Sequence, residues 1–256
     1  MKLTIGHLYP DLLNLYGDRG NIQCMRKRLE WRGMEAEVRE FLLEDPIPFQ
    51  ELDIVLLGGG SDREQRIVCQ KLQGIQKDFK AYVEDGGTVI AVCGGYQLLG
   101  ETLGDSQGTE SGHPQTLRGL GLLPTRTVFT AEKRRAQVTA TAAAPFTGAA
   151  LTGYEIHTGR TAANGAPFCR YADGTPEGCV QNAVFGTYLH GLFDSGELTE
   201  QLAAYLCRRK GIAPDTAAPL AMADYRTQQL DLLADGVRSA LDMDAVYAAM
   251  GLHNPR

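Results

Sequence analysis

A chain of 256 residues, 43% of them hydrophobic, is long enough to bury a sizeable core as one large domain, or as one domain with an appendage. A net charge of −6 without any basic block offers nothing for a nucleic-acid backbone to hold, and no apolar run reaches membrane-spanning length, so neither nucleic-acid binding nor membrane insertion is expected. With no signal-peptide core after Met1, a reducing cytoplasm is the expected location; the six cysteines (Cys24, Cys69, Cys93, Cys169, Cys179, Cys207) form no CxxC pair and read as free thiols rather than as a metal site.

Lys2 to Tyr9 predicts a first strand, ended by Pro10. Leu12-Leu-Asn-Leu-Tyr-Gly-Asp-Arg-Gly-Asn21 is an apolar half-turn running into a polar, glycine-punctuated loop. Asn21 is placed to cap a helix through Arg32, with Ile22, Met25 and Leu29 at helical spacing, and Gly33 ends that helix. Ala36 to Phe41 and Asp53 to Leu57 predict the second and third strands, separated by a loop marked by Pro46 and Pro48. The third strand runs into Gly58-Gly59-Gly60-Ser61-Asp62, and one or two helices then carry the chain to Asp85-Gly86-Gly87. Such alternation predicts an α/β fold, a mostly parallel sheet with helices on both faces.

Four of the five residues from Thr88 to Val92 are β-branched and none is charged, which predicts a strand buried on both faces. Cys93, Gly94, Gly95 and a short apolar helix through Leu99 follow at once. Strand, nucleophile-type residue, glycine pair and helix make a nucleophile elbow, with the side chain at the strand's carboxyl tip and over a helix N-terminus that favours a thiolate. The plainer reading is a cysteine buried as a small hydrophobe.

Beyond Gly100 the character changes. Glu101 to Arg118 is polar and glycine-rich, predicting a long surface loop. Gly119 to Pro124, Gln137 to Ala142, Tyr154 to His157 and Phe168 to Tyr171 predict shorter, antiparallel strands. Val184 to Gly191 reads as a strand ending in a glycine-flanked histidine, His190. From Glu197 the pattern is helical, with Leu198, Leu202, Tyr205 and Leu206 on one face and Leu230, Leu233, Val237 and Leu241 repeating it beyond Pro214 and Pro219. The expected organisation is a domain over 1–196 with a helical extension, 197–256, packed on it, or else helping to dock a partner.

Three features converge on one chemistry. Ligand sites in parallel sheets lie at the carboxyl ends of the strands, which puts Gly58-Gly59-Gly60 beside Cys93. Backbone amides there, with that of Gly94, could form an oxyanion hole; the alternative is a tight turn only. The loop lacks the lysine and spacing of a phosphate-binding P-loop. His190 is placed as a base over the thiol, with His157 the competing candidate and His7, His113 and His253 in weaker settings.

VCGGYQLLG, GYEIHTGRT and FGTYLHGLF together resemble the triad-type (class I) glutamine amidotransferases, in the branch holding the glutaminase domains of cobyric acid synthase, over residues 3 to 195. LNLYGDRGN, and the lack of a preceding synthetase domain, further resemble the stand-alone glutaminase subunits of the lipid II isoglutaminyl synthase family. The resemblance implies that Cys93 attacks the side-chain amide of L-glutamine and His190 shuttles the proton, with amides of Gly59 or Gly60 and of Gly94 on the oxyanion. It implies that Arg134, with Arg135 as its uncertain neighbour, holds the substrate. It also implies that ammonia passes to a Mur-ligase-like partner in a heterodimer, with ATP and Mg2+ bound by that partner and no cofactor or metal in this chain. Most of the class has a glutamate two residues after the histidine; here Leu192 stands there. Asp18 and Asp194 are weak substitutes, and a carboxylate from the partner is the expected alternative. Rival readings are another acceptor such as a corrinoid carboxylate, a different cysteine hydrolase, and a non-catalytic subunit that kept the fold.

Overall fold

Strands made only of apolar and β-branched residues are driven to the middle of a sheet, and two of them build the centre here. In the computed structural model, which describes residues 2–15, 18–109, 111–194, 196–211, 213 and 222–253, β3 (Ile54–Leu57) and β4 (Thr88–Val92) are buried at every position. They pair in parallel with each other, and β1 (Lys2–Leu8) and β2 (Glu35–Phe41) extend the sheet on the β3 side. On the other side β12 (Val184–Thr187) is parallel to β4, and β11 (Cys179–Gln181) closes the edge antiparallel, giving the order β11-β12-β4-β3-β1-β2. The predicted first strand, third strand and central strand are all present. Tyr16 and Gly17 of the LNLYGDRGN stretch, and Pro214 and Pro219, lie outside the described residues.

Alternation along β3 divides the core. Val55 and Leu57 face α2 (Asp62–Gly74) and α3 (Gln76–Glu84), packing with Val68, Leu72, Phe79 and Tyr82. Ile54 and Leu56 face the opposite layer of α1 (Arg19–Trp31) and α5 (Glu197–Arg209), packing with Ile22, Met25, Leu29, Leu198 and Leu202. α1 starts two residues before the expected cap, so Asn21 lies inside it and Asp18 takes the capping position. α4 (Gly94–Leu99) is one short turn-and-a-half directly behind β4.

The middle of the chain departs from expectation. Glu101 to Arg118 is not a structureless loop: β5 (Thr102–Asp105) and β6 (Gln115–Arg118) pair as an antiparallel hairpin. Buried Asp105 ties its loop, accepting from the amides of Thr109 (2.7 Å) and Ser111 (2.8 Å). Gly119 to Pro124 is not a strand either; the amides of Leu120 and Leu122 donate to the carbonyls of Leu98 and Leu99, so this segment caps α4 while burying its leucines. Strand structure resumes as β7 (Thr125–Ala142), which pairs with β8 (Ala150–Ala163), and β9 (Cys169–Tyr171) and β10 (Pro176–Glu177) complete a second sheet ordered β10-β9-β7-β5-β6.

The elements through α5 lie in one compact unit, Met1–Ala217. A second unit, Ala218–Arg256, holds α6 (Met222–Ala240) and α7 (Met243–Ala249), the latter capped by the Asp242 side chain on the amide of Ala245. Among the described residues no helix is long and apolar enough to cross a membrane.

Candidate active site

Four segments meet at the carboxyl edge of the parallel sheet, because the strands that precede them are neighbours in it: the β1–α1 loop, the glycine loop after β3, Cys93 after β4 and His190 after β12. Cys93 sits at φ 52°, ψ −109°, a conformation that L-residues rarely adopt and that costs about 1–3 kcal/mol. The cost is offset by a hydrogen bond from its amide to the carbonyl of Thr187 (2.8 Å) and one from the amide of Gln97 to its own carbonyl (3.0 Å). The thiol is 5% exposed and lies 3.9 Å from the carbonyl of Ile156 on β8.

His190 is fully buried, held by two backbone hydrogen bonds to Tyr154 of β8 (2.9 and 3.2 Å), whose ring stacks on the imidazole at 5.1 Å. Its Nδ1 lies 3.1 Å from Oδ1 of Asp18. The orienting carboxylate therefore comes from this chain, from Asp18, and no partner group is required at that nitrogen. Asp194 instead belongs to a turn, its amide donating to the carbonyl of Gly191 (3.0 Å). Leu192, standing where the class carries glutamate, is buried in the core with Phe193. The backbone of Asp18 is already helical, and its side chain makes no capping bond, so the carboxylate is available to the imidazole.

The other oxygen of Asp18 accepts the amide of Gly59 at 2.7 Å. This corrects the expectation for Gly59: its N–H is committed to Asp18 and cannot also point at an oxyanion. What Gly59 provides is space. A β-carbon on it would lie 3.2 Å from Cβ of Cys93 and 3.3 Å from Cε1 of His190, so both side chains close over this one glycine. The amide nitrogen of Gly60 lies 3.1 Å from where a β-carbon on Gly94 would sit, so these two glycines pack closely against each other.

A cavity of about 190 Å³ opens onto Cys93, walled by Gly60, Gln65, Gln97, Lys133, Ile156 and His157 among others. That is below the range of about 300–1,000 Å³ usual for drug-sized ligands, and suits one small molecule. Its cation is Lys133. β7 and β8 lose register between Phe129 and Arg134: residues 130–133 stand opposite Thr158 alone, and Lys133 of this bulge lies in the cavity wall. Arg134 is not in that wall. It pairs with Glu155, stacks over the ring of Tyr171 at 5.7 Å, and so serves a buried carboxylate. Arg135 is exposed, opposite Ile156 in the ladder. Burial by itself would raise the Glu155 carboxyl, but the His157 ring 3.8 Å away and hydrogen bonds from Tyr171 and Arg134 hold it at about 2. His157, the competing base, is fixed by its Nδ1 to the carbonyl of Gly159 (2.8 Å) and by stacking on Tyr188 at 3.7 Å; it lines the cavity without reaching the carboxylate pair of His190. The residue that sequence reasoning underweighted is Asp18; the one it missed is Lys133, whose only signal was a cationic run in the middle of a strand.

Residues 4–198 match the CobB/CobQ-like glutamine amidotransferase domain. The chain is 36% identical over 221 residues to the lipid II isoglutaminyl synthase (glutamine-hydrolyzing) subunit GatD of Staphylococcus aureus, covering 82% of this chain and 87% of that protein. It is 37% identical over 220 residues to a probable cobyric acid synthase of Methanocella arvoryzae, again over 82% of this chain but only 42% of that longer protein. Among solved structures, PurLQS of Thermotoga maritima shares the fold, with a TM-score of 0.57 at 18% identity over 80% of this chain and 100% of that one. With its cysteine elbow beside a histidine–aspartate pair, the chain belongs to the CobB/CobQ-like glutamine amidotransferase family.

Proposed function

We infer that the chain is the glutaminase of a two-subunit amidotransferase, hydrolysing L-glutamine through a thioester on Cys93. The ammonia goes to a Mur-ligase-like partner that amidates the α-carboxyl of the D-glutamate of lipid II. The observation that carries the first half is Cys93 at positive φ beside a buried histidine that is hydrogen-bonded to Asp18, in a chain of this family.

The chemistry follows from the groups in place. The Cys93 thiolate adds to the side-chain carbonyl carbon of glutamine, and the charge that develops on oxygen is met by the amides of Gly60 and Gly94. His190 gives a proton to the amide nitrogen, the C–N bond breaks, ammonia leaves, and Cys93 carries a glutamyl thioester. His190 then takes a proton from water, which attacks the same carbon; the C–S bond breaks, and glutamate departs. Asp18 keeps the Nδ1–H tautomer and stabilises the imidazolium in both halves. Lys133, the cation of the cavity wall, suits the substrate's α-carboxylate. ATP and Mg2+ would serve the ligase step on the partner.

Similarity over 87% of the GatD subunit supports the lipid II acceptor, whereas comparable identity to cobyric acid synthases supports a corrinoid acceptor as the second reading. The test is ammonia release from glutamine by the wild type and Cys93→Ala, each alone and with the co-encoded ligase-like protein, followed by acceptor analysis. Cys93→Ala should lose at least about 10³-fold in rate, and amidated lipid II should form only with both proteins and ATP present. Amidated corrinoid instead would transfer the chain to the second reading, and release that survives Cys93→Ala would overturn the nucleophile.

A further inference from the structure

One buried carboxylate lies outside the cavity and outside the chemistry above. Glu177, the last residue of β10 in the second sheet, is 7% exposed, and its side chain crosses to the end of β12, just before His190. One oxygen accepts the amide of Tyr188 at 2.7 Å, and the other accepts the hydroxyl of Thr187 at 2.6 Å and the thiol of Cys169 at 3.4 Å.

Those two donors occupy a decisive position. The carbonyl of Thr187 receives the amide of Cys93, and the hydroxyl of Thr187 receives the amide of Leu189 at 3.1 Å, so one residue is shared between the strained elbow and the turn that leads to His190. Tyr188 continues the link toward the cavity. Its hydroxyl bonds Gln97 (3.1 Å) and Thr161 (2.6 Å), and its ring carries His157. Hydrogen bonds to an ionised carboxylate are shorter and stronger than neutral ones, and a buried carboxylate is kept only where its lone pairs are used. Here they are used on the residues that set where the nucleophile and its base stand.

We propose that Glu177 is a positioning residue for the amidotransferase reaction: it clamps Thr187 and Tyr188 at the end of β12, and through them fixes His190 against Cys93. It touches neither substrate nor reacting atoms. The proposal rests on the glutaminase reading and adds to it a residue from the other sheet.

Misplacing a reacting group by about 1 Å costs on the order of 100-fold in rate. Glu177→Ala, checked for cooperative thermal unfolding, should therefore lower kcat for ammonia release about 100-fold with KM for glutamine within about twofold. Glu177→Gln, which keeps an acceptor for the Tyr188 amide, should recover to within about tenfold of the wild type. Thr187→Val, which keeps the shape but loses the hydroxyl, should also lower kcat and leave KM unchanged, and it decides the matter if Glu177→Ala does not fold. A folded Glu177→Ala enzyme with wild-type kcat, or with its defect in KM alone, would overturn the proposal; so would wild-type kcat in Thr187→Val. Cys93→Ala measured in parallel separates the two levels. If it is inactive while the Glu177 and Thr187 variants are normal, only the positioning role falls; if it matches the wild type, the glutaminase reading falls first.

Discussion

Asp18 shows what a single residue can do when its neighbourhood releases it from a local task. At the capping position of α1 an aspartate ordinarily bonds the first free amides of the helix. Here it is turned toward the sheet, with one oxygen on His190 and the other on Gly59. A neutral amide at this position would still accept a hydrogen bond but could not stabilise the imidazolium. Asp18→Asn should therefore lower kcat for glutamine hydrolysis by about 10²–10⁴-fold, in line with the loss of the equivalent carboxylate in serine-protease triads, with little change in KM. Wild-type kcat in that variant would show that the pair is structural. Cys93 and His190 could be read from the sequence because each ends an apolar strand and meets glycine. Asp18 could not be read with the same force, since its partner stands 172 positions away.

At the scale of elements, the β7–β8 ladder decides which cation serves the cavity. The register slip between Phe129 and Arg134 moves four side chains out of the ladder, so neighbouring cations face different surroundings: Lys133 lines the cavity, and Arg134 returns to pair with Glu155. Lys133→Ala should raise KM for glutamine about tenfold or more at nearly unchanged kcat, which steady-state kinetics will show. Arg134→Ala should leave KM alone and destabilise the fold by roughly 1–3 kcal/mol, because a buried carboxylate loses a charged donor; denaturant melts measure this. The reverse pattern would restore Arg134 as the substrate anchor. The same scale explains the missed hairpin at β5–β6. Its strands are four residues each, and polar, and their pairing is recorded in partners rather than in periodicity.

For the molecule as a whole, two buried groups give stability opposite pH slopes. Burial keeps His7 neutral, with its imidazole lowered to about 4, so its contribution is complete above the unfolded value near 6.5 and is lost as the pH falls through 4. Burial raises the Glu177 carboxyl to about 7, with the bonds from Thr187 and Tyr188 opposing; its contribution is complete below about 4.5 and is lost as the pH rises through 7. Each amounts to roughly 3 kcal/mol over its window, so between about pH 4.5 and 6.5 the two nearly cancel. Thermal melts across pH 4.5 to 7 should show His7→Gln losing stability as the pH rises and Glu177→Gln gaining it. Parallel profiles for both variants would mean that neither group titrates as described.

The parallel sheet, the elbow at Cys93, the glycine loop beside it and the histidine after β12 are legible in the chain's residues alone. Each of these is written in a short run of residues, where an apolar strand meets glycines or a histidine. Folding alone makes Asp18 the carboxylate on His190, commits the amide of Gly59 to Asp18, puts Lys133 rather than Arg134 in the cavity wall, and brings Glu177 across from the second sheet. The physical reason is common to all four. Each depends on which strands become neighbours and in what register, and a hydrogen bond between segments far apart in the chain leaves no periodic trace in either one.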